Sequence, residues 1–502
     1  MMRGYPGIFL AFILLLLPAC RAQTPASGEV RIGLAQRPMT LDPRYATDAA
    51  SHRVQDFLHR GLIRLDEHFH PRGDLASHWE HPDPLHWYFF LRKGVRFHNG
   101  QRVAASDVAA TLQSILDPDM ASPLRSGFLA IRQVKALSPD EVAIVLDKPD
   151  SSLLTRLSIG ILPASMAAKK QQDRQIIGCG PFRLLHWNNS GLVLQRLHSS
   201  GDPHQISRLR FMPVKDPVTR CLKLTRGEID FTENDLPPHL LPYLRKQKQL
   251  TMKVRTGTTF AYIGLNLRDR ILKDVRVRHA LALATDRAAL KRALFSDLPK
   301  LAETVLPPGH WAAAKLPLQP YNPSRAEQLL DSAGFPRGKD GIRFSINYRT
   351  STNPTRLSLA TAIADQWRRI GIDVHIESLE WGGFYARIKR GDFQVFSLSW
   401  VGIVDPDIYR WILDSKMWPP AGANRGRYAN AKVDRWLDEA ERSENEAQRA
   451  ELYRLIQQQM YRDQVYIPLW YEPVIAVSGP RLHGFVPRPD GSMLGLLQAH
   501  LK

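Results

Sequence analysis

Five histidines lie close together in this chain and could bind a metal ion. They are His68, His70, His78, His81 and His86. Neutral imidazole is a common ligand for nickel, copper and zinc. The spacing gives no pair of histidines four residues apart on a helix and no combination with cysteine, so a solvated loop and strand edge explains the pattern more simply. Metal binding is therefore an alternative function and not the first choice.

Motifs of exported hydrolases are not found in the sequence. It contains no Gly-x-Ser-x-Gly nucleophile elbow and no His-Glu-x-x-His zinc motif. Residues 334–339 are similar to a phosphate-binding loop, but the glycine spacing is one residue short and Asp340 stands where Ser or Thr is needed. We expect no catalytic residues and no cofactor, and an exported hydrolase is the most remote of the alternative functions.

Length and composition indicate a globular protein of two or three domains. The chain has 502 residues, of which 44% are hydrophobic and 23% are charged. The formal net charge is +19, but Lys and Arg are scattered, without the basic runs and interleaved aromatic residues that bind nucleic acid. We expect no nucleic acid partner, and a basic surface that favours anionic ligands or lipid headgroups.

The N-terminus predicts export from the cytoplasm. Arg3 precedes the apolar residues 8–17, a segment too short to span a bilayer comfortably. Leu17-Pro18-Ala19-Cys20 is similar to a lipobox, in which Cys20 would be acylated; a plain signal peptide cleaved a few residues later is the alternative. We expect a signal peptide over 1–19, a lipid-anchored tether over 20–28 and a mature protein in the periplasm.

Apart from Cys20, the chain contains two cysteines, Cys179 and Cys221. An oxidising compartment would permit a disulfide between them. Both lie beside apolar residues, however, and buried free thiols are common. The sequence leaves open whether the two cysteines form a disulfide or remain free thiols.

Hydrophobic periodicity predicts an α/β architecture. Residues 344–348 and 371–378 read as strands and residues 357–370 as the helix between them, followed by a further strand at 395–400. Residues 260–267, FAYIGLNL, read as a strand that passes into this region. Such alternation is typical of a sheet with helices on both faces.

The segment that is most informative about the family is residues 87–108, WYFFLRKGVRFHNGQRVAASDV. They predict a strand, two glycine turns, a short return strand over 95–97 and a helix that begins at Ser106-Asp107. This stretch resembles the family 5 extracytoplasmic solute-binding proteins, the oligopeptide-, dipeptide- and nickel-binding receptors of ABC importers. Thr40-Leu41-Asp42-Pro43 and residues 177–182 and 274–281 fit the same family, so the resemblance covers nearly the whole mature chain.

The resemblance implies an α/β, two-lobed periplasmic binding protein fold of type II, with an extra inserted domain and a ligand cleft between the lobes. It divides the chain into a first lobe (29–69, 177–260 and the return 476–502), an inserted α/β domain (70–176) and a second lobe (261–475). The implied protein is a monomer that captures a ligand, a short peptide by preference, and delivers it to a membrane permease. A metal or metal-chelate receptor is the alternative within the family.

The resemblance also indicates ligand-binding residues near the end of the second lobe. Residues 379–394 resemble the dipeptide receptors, which place an Asp after the following Trp-x-Gly to pair with the ligand ammonium. Here Ile403 stands at that position. Either Asp405 or Asp407 takes this role, or the ligand presents no ammonium there; an Asx turn is the competing interpretation of both aspartates.

Arg349 precedes Asn353-Pro354, near the place where dipeptide receptors have an arginine for the ligand carboxylate, which a guanidinium fork matches in shape. A solvated loop arginine is the alternative. Further candidates for contacts with the ligand are Trp381, Trp400, Tyr262 and Asn266. The aromatic residues would form cleft walls or ordinary core, and Asn266 would hydrogen-bond the ligand or the hinge.

Overall fold

The structure is a computed structural model, and it describes residues 28–170, 175–197, 201–202, 204–443 and 445–502. The predicted signal peptide and Cys20 lie outside the described residues. Within those ranges no helix combines the length and the apolar character needed to cross a bilayer.

The first half of the chain alternates short strands and helices before it enters a long strand. In order, the elements are β1 (Glu29–Leu34), α1 (Ala49–Leu58), β2 (Ile63–Leu65), β3 (Pro71–Gly73), β4 (Ala76–Asp83), β5 (His86–Leu91), α2 (Ala105–Leu116), β6 (Ile131–Ser138), β7 (Glu141–Leu146), α3 (Leu153–Arg156), α4 (Ala164–Ala167), β8 (Phe182–Asn188), β9 (Gly191–Arg196), β10 (Arg208–Pro213), α5 (Pro217–Thr225), β11 (Phe231–Glu233) and α6 (Leu241–Arg245). Short 3₁₀ turns cover Pro118–Met120, Arg125–Phe128 and Pro238–Leu240.

The second half is richer in helices. Its elements are β12 (Thr251–Leu265), α7 (Val275–Leu283), α8 (Arg287–Phe295), β13 (Lys300–Leu301), α9 (Pro323–Ser332), β14 (Phe344–Ser351), α10 (Pro354–Arg369), β15 (Ile372–Leu379), α11 (Trp381–Arg390), β16 (Val395–Trp400), α12 (Ile408–Leu413), α13 (Ala431–Arg442), α14 (Glu446–Arg462), β17 (Tyr466–Ser478), β18 (Leu482–His483) and β19 (His500–Leu501), with a 3₁₀ turn at Met493–Leu497.

One mixed sheet runs through both lobes. Among the described residues its strand order is β15-β14-β16-β12-β17-β11-β1-β10-β9-β8, and β13 pairs with β17. In the second lobe β14 is parallel to β15 and β16, and in the first lobe β1 is parallel to β10 and β11. The predicted α/β architecture is confirmed.

Two long antiparallel strands, β12 and β17, connect the lobes. They pair from Thr251 with Ser478 to Gly264 with Tyr466, and their register is irregular between Thr256 and Phe260. On one side of this irregularity β17 pairs with β11 of the first lobe, and on the other β12 pairs with β16 of the second. The chain therefore crosses between the lobes within these two strands.

The register also shows which sheet edges face each other. β16 ends at Trp400 opposite Phe260, and β11 ends at Glu233 opposite Ala476. Both strands thus run towards the crossing and end beside it. The carboxyl edges of the two half-sheets face each other across β12 and β17, and this is where ligands bind in open α/β sheets.

Helices cover both faces of the second-lobe sheet because β12 is apolar on both faces. Successive side chains of a strand point to opposite faces. Ala261 and Ile263 belong to a core cluster that contains the buried Trp367 of α10, whereas Phe260 and Tyr262 belong to a second cluster with α11. A continuous apolar run such as FAYIGL is typical of a strand buried on both sides.

The region between β3 and β8 contains a separate antiparallel sheet of order β4-β5-β7-β6, with α2 packed on it. The predicted return strand over 95–97 is wrong, since that segment forms only an isolated bridge between Arg96 and Arg102. β5 pairs with β4 on one side and with β7 on the other. No edge of β5 remains for a third strand.

Cys179 and Cys221 are both free thiols and both are buried. They lie in different core clusters, so the disulfide alternative is wrong. Burial raises the pKa of the Cys179 thiol to about 12, which keeps it protonated and unreactive.

A buried carboxyl group lies at the carboxyl edge of the first lobe. Glu233 is 2% exposed, and neither of its carboxylate oxygens has a hydrogen-bond partner among the described residues. Burial raises its pKa to about 8; Arg53 opposes this rise, while Asp490 and Asp235 add to it. Glu233 is thus protonated at neutral pH.

An acid whose pKa is raised by folding makes the folded state lose stability as the pH rises from its ordinary pKa to the raised one. We expect Glu233→Gln to have nearly the same unfolding midpoint as the wild type at pH 4 and a higher one at pH 8. The gain should be at least about 1 kcal/mol, because one pKa unit is worth about 1.4 kcal/mol. Thermal unfolding across this pH range measures it. Glu67→Gln, at an exposed position, is the control, and a gap that does not widen with pH contradicts the prediction.

Candidate ligand-binding site

Four aromatic residues lie at the carboxyl edge of the second lobe, and we call them the aromatic edge: Tyr262, Trp381, Tyr385 and Trp400. Trp400 is the last residue of β16, and Trp381 begins α11 directly after β15. The rings of Trp381 and Tyr385 stack with centroids 5.5 Å apart, and those of Tyr262 and Trp400 are parallel with centroids 6.0 Å apart. The side chain of Trp381 is 54% exposed, whereas Tyr262 is fully buried.

The structure therefore brings together three aromatic residues that the sequence indicated, Trp381, Trp400 and Tyr262. They take different positions within one wall. Trp381 faces solvent, Trp400 is half-buried, and Tyr262 supports Trp400 from the core side. Trp381 and Trp400 can therefore contact a ligand directly, whereas the buried Tyr262 supports the ring of Trp400.

Arg425 joins the two halves of the aromatic edge. Its guanidinium carbon lies 4.4 Å from the ring centre of Trp400 and 5.5 Å from that of Tyr385. Nη1 donates a hydrogen bond to Tyr262 Oη at 3.0 Å, and Nη2 donates one to Tyr385 Oη at 3.2 Å. The sequence carried no signal for Arg425, which stands in a loop of a chain with many arginines.

The backbone on both sides of Arg425 is held in place. The buried Asn424 side chain donates to the carbonyl oxygens of Leu413 and Tyr428 at 3.2 and 2.8 Å. Gly426 O accepts a hydrogen bond from the Leu267 amide at 3.0 Å, and a Cβ at Gly426 would lie 2.6 Å from a backbone oxygen of β12. The position of the arginine is therefore set before any ligand binds.

Arg349 lies on β14 with its guanidinium in two ion pairs. Its Nε donates to Glu377 Oε2 at 2.6 Å, and its Nη1 is 2.9 Å from Asp392 Oδ1. A ligand carboxylate at Arg349 would have to compete with these two groups. The ligand-binding role of Arg349 stays a prediction.

Asp405 and Asp407 connect the second lobe to the segment that contains α3. Thr155 Oγ1 donates to Asp405 Oδ2 at 2.6 Å, and Ser152 Oγ donates to Asp407 Oδ2 at 2.8 Å. Ser151 Oγ also donates to Asp407. The two carboxylates are thus used in a contact between parts of the protein, and an ammonium-binding role for either of them stays a prediction.

The charges of this contact are balanced by one arginine. Burial opposes ionisation of Asp407, but the Arg449 guanidinium and the surrounding hydroxyl groups outweigh it and lower the pKa of Asp407. Burial, together with the charge of Asp407, raises the pKa of Asp405 to about 6. Asp407 therefore carries the charge that pairs with Arg449.

Two other residues that the sequence indicated lie away from the cleft surface. The side chain of Ile403 is buried in the second-lobe core. Asn266 follows the end of β12 that is remote from the crossing, where its Nδ2 donates to Phe393 O at 2.9 Å. A contact between Asn266 and a ligand stays a prediction.

The five histidines do not converge. His78 stacks on Phe90 and His81 on Trp87, while His86 contacts Asp83. His68 Nδ1 lies 3.1 Å from Gly309 O, and His70 Nδ1 lies 3.1 Å from Glu446 Oε2. In the part of the chain that the structure describes, no three His, Cys, Asp or Glu side chains are grouped so that they could hold a metal ion.

Comparison with known proteins identifies the family. Residues 70–417 match the model of the bacterial extracellular solute-binding proteins, family 5 Middle. The chain belongs to family 5. A family 5 protein is the extracytoplasmic solute-binding receptor of an ABC importer, and it delivers its ligand to the permease.

Relatives and solved structures agree over nearly the full length. The glutathione-binding protein GsiB of Escherichia coli O1:K1 / APEC is 28% identical over 488 residues, 93% of this chain and 93% of that protein. HbpA2 from Haemophilus parasuis has a TM-score of 0.84 at 25% identity and covers 94% of this chain and 100% of its own. NikZ from Campylobacter jejuni, in complex with Ni(L-His), has a TM-score of 0.75 at 25% identity, with coverages of 95% and 100%. The two-lobed family 5 fold is confirmed.

Asp407→Ala tests the contact between the second lobe and the α3 segment. The substitution removes the carboxylate that pairs with the half-buried Arg449 and that accepts hydrogen bonds from Ser151 and Ser152, while Asp405 stays nearby, so we expect the free energy of unfolding to fall by roughly 1–3 kcal/mol. Asp438→Ala is the control, because Asp438 is more exposed and its partner Arg410 keeps Asp414; here the loss should stay below about 1 kcal/mol. Denaturant unfolding measures both, and equal losses would contradict the prediction.

Proposed function

We propose that this family 5 receptor captures a short peptide between its lobes and presents it to the permease of an ABC importer. The observation that carries the proposal is the aromatic edge, which faces the first lobe across the crossing strands and leaves half of the Trp381 side chain exposed. Small-molecule sites are concave and mostly apolar, with a few placed polar groups. The aromatic edge, with Arg425 beside it, is suited to an organic solute that has both apolar and charged parts.

The relatives support a peptide ligand. GsiB is described as a glutathione-binding protein, and glutathione is a small peptide. AppA from Bacillus subtilis, a structural neighbour at 24% identity, supports the fold only. NikZ was solved with a nickel–histidine chelate, so a metal-chelate receptor is the outcome that would replace the peptide proposal.

The proposed mechanism is lobe closure without chemistry. A ligand that contacts both carboxyl edges binds the closed form more tightly than the open form, and this difference in free energy drives closure. The irregular register of β12 between Thr256 and Phe260 lies where such a hinge would bend. We infer that the receptor acts as a monomer and hydrolyses nothing.

Calorimetry with a pool of tripeptides tests the proposal. We expect binding by the wild type and a dissociation constant that is roughly 5- to 30-fold higher in Trp381→Ala, the effect of losing about 1–2 kcal/mol at a binding tryptophan. Trp187→Ala, on the outermost strand β8 of the first lobe, should bind like the wild type.

Other results would contradict the peptide proposal in distinct ways. Heat from nickel–histidine but not from peptides would favour the metal-chelate receptor. Turnover of a peptide or an ester would contradict both the peptide receptor and the metal-chelate receptor. Equal weakening in Trp187→Ala and Trp381→Ala would show that the aromatic edge is not the site.

We also propose that Cys20 is acylated and anchors the receptor to the membrane through residues 20–28. Intact mass should show a lipid-modified mature N-terminus at Cys20, and the protein should sediment with membranes. Cys20→Ala should release it or leave it unprocessed. An unmodified N-terminus at a later residue would contradict the anchor and favour a plain signal peptide.

A further inference from the structure

We infer that Arg425 is the anchor for a carboxylate of the ligand and that it selects solutes with a free acid group. This inference rests on the proposed function, because it places one end of the captured solute at the aromatic edge.

Arg425 differs from two other arginines of the second lobe in its ion pairs. Arg349 is paired with Glu377 and Asp392, and Arg356 Nη2 lies 3.2 Å from Glu472 Oε1. Arg425, in contrast, has no carboxylate within 4.0 Å among the described residues, although only 8% of it is exposed. Among the residues that the structure describes, its buried positive charge therefore has no negative partner within ion-pair distance.

The unpaired charge of Arg425 has an energetic consequence. A buried charge is strongly unfavourable unless it is paired and hydrogen-bonded. The phenol oxygens of Tyr262 and Tyr385 and the ring face of Trp400 compensate in part, since cation–π contacts are attractive. These neutral groups leave the net charge in place, so a ligand anion would complete the site.

The Arg425 guanidinium also keeps hydrogen-bonding capacity for a ligand. Guanidinium has five N–H donors, and two donations from Arg425 are made to side chains of the described residues. The remaining donors match a carboxylate fork. Asn424 and Gly426 fix the backbone, so little conformational entropy is lost when an anion binds.

The surroundings of Arg425 indicate the chemistry of the ligand. The guanidinium lies against the Trp400 ring, and Tyr385 stacks on the exposed Trp381. A solute that binds here presents a carboxylate to Arg425 and apolar atoms to the rings. The terminal carboxylate of a short peptide has this combination, whereas a peptide amide lacks the charge.

The experiment compares tripeptides with free C-termini and the same peptides as C-terminal amides. We expect the wild type to bind the acids about 100-fold more tightly, the effect of losing charge-assisted hydrogen bonds. Arg425→Gln should bind both at the level of the amides, and Arg425→Lys, which keeps the charge but not the fork, should lie between. Arg268→Gln is the matched control, because Arg268 also stacks on a tryptophan but follows the remote end of β12.

Equal binding of acids and amides by the wild type, or an unchanged preference in Arg425→Gln, would overturn the inference. If the wild type binds neither pool, the peptide proposal fails. A second measurement then tests whether Arg425 binds a carboxylate. Replacing chloride with acetate at constant ionic strength should raise the unfolding midpoints of the wild type and of Arg268→Gln. The midpoint of Arg425→Gln should rise less. Equal shifts in all three proteins would overturn the inference without reference to any peptide.

Discussion

The structure depends on the pairing of β12 with β17. These two strands carry the sheet from one lobe to the other, and their hydrogen bonds are continued by β11 on one side and β16 on the other. Because the flanking strands run towards the crossing, the carboxyl ends of both half-sheets are brought to one cleft. The aromatic residues at the end of β16 and the start of α11 face the first lobe for this reason alone.

Charge is treated differently at two places in the second lobe. At the contact with α3, Asp407 has hydroxyl donors and the Arg449 guanidinium, so its charge is compensated within the protein. At the aromatic edge, Arg425 has only neutral partners among the described residues. The first arrangement holds segments together, and the second leaves a charge that a solute can neutralise.

Much of the fold could be predicted from the sequence because its signals are local. The apolar run FAYIGL predicted a strand, which is part of β12, and the helix predicted over 357–370 corresponds to α10 (Pro354–Arg369). The error over 95–97 had a non-local cause, since β4 and β7 occupy both edges of β5. Residues 95–97 contain no signal that β5 pairs with β4 and β7.

The candidate site divides in the same way. The sequence by itself determined the family and the α/β class and indicated three of the four residues of the aromatic edge, Trp381, Trp400 and Tyr262, because sequence motifs and hydrophobic patterns are properties of neighbouring residues. Only the tertiary structure decided which charges are free. Arg349 meets Glu377 through the pairing of two parallel strands, and Arg425 reaches Tyr262 across 163 positions of the chain. Whether a guanidinium is paired depends on which distant side chains the fold brings within a few ångströms, and residue type and spacing do not contain that information.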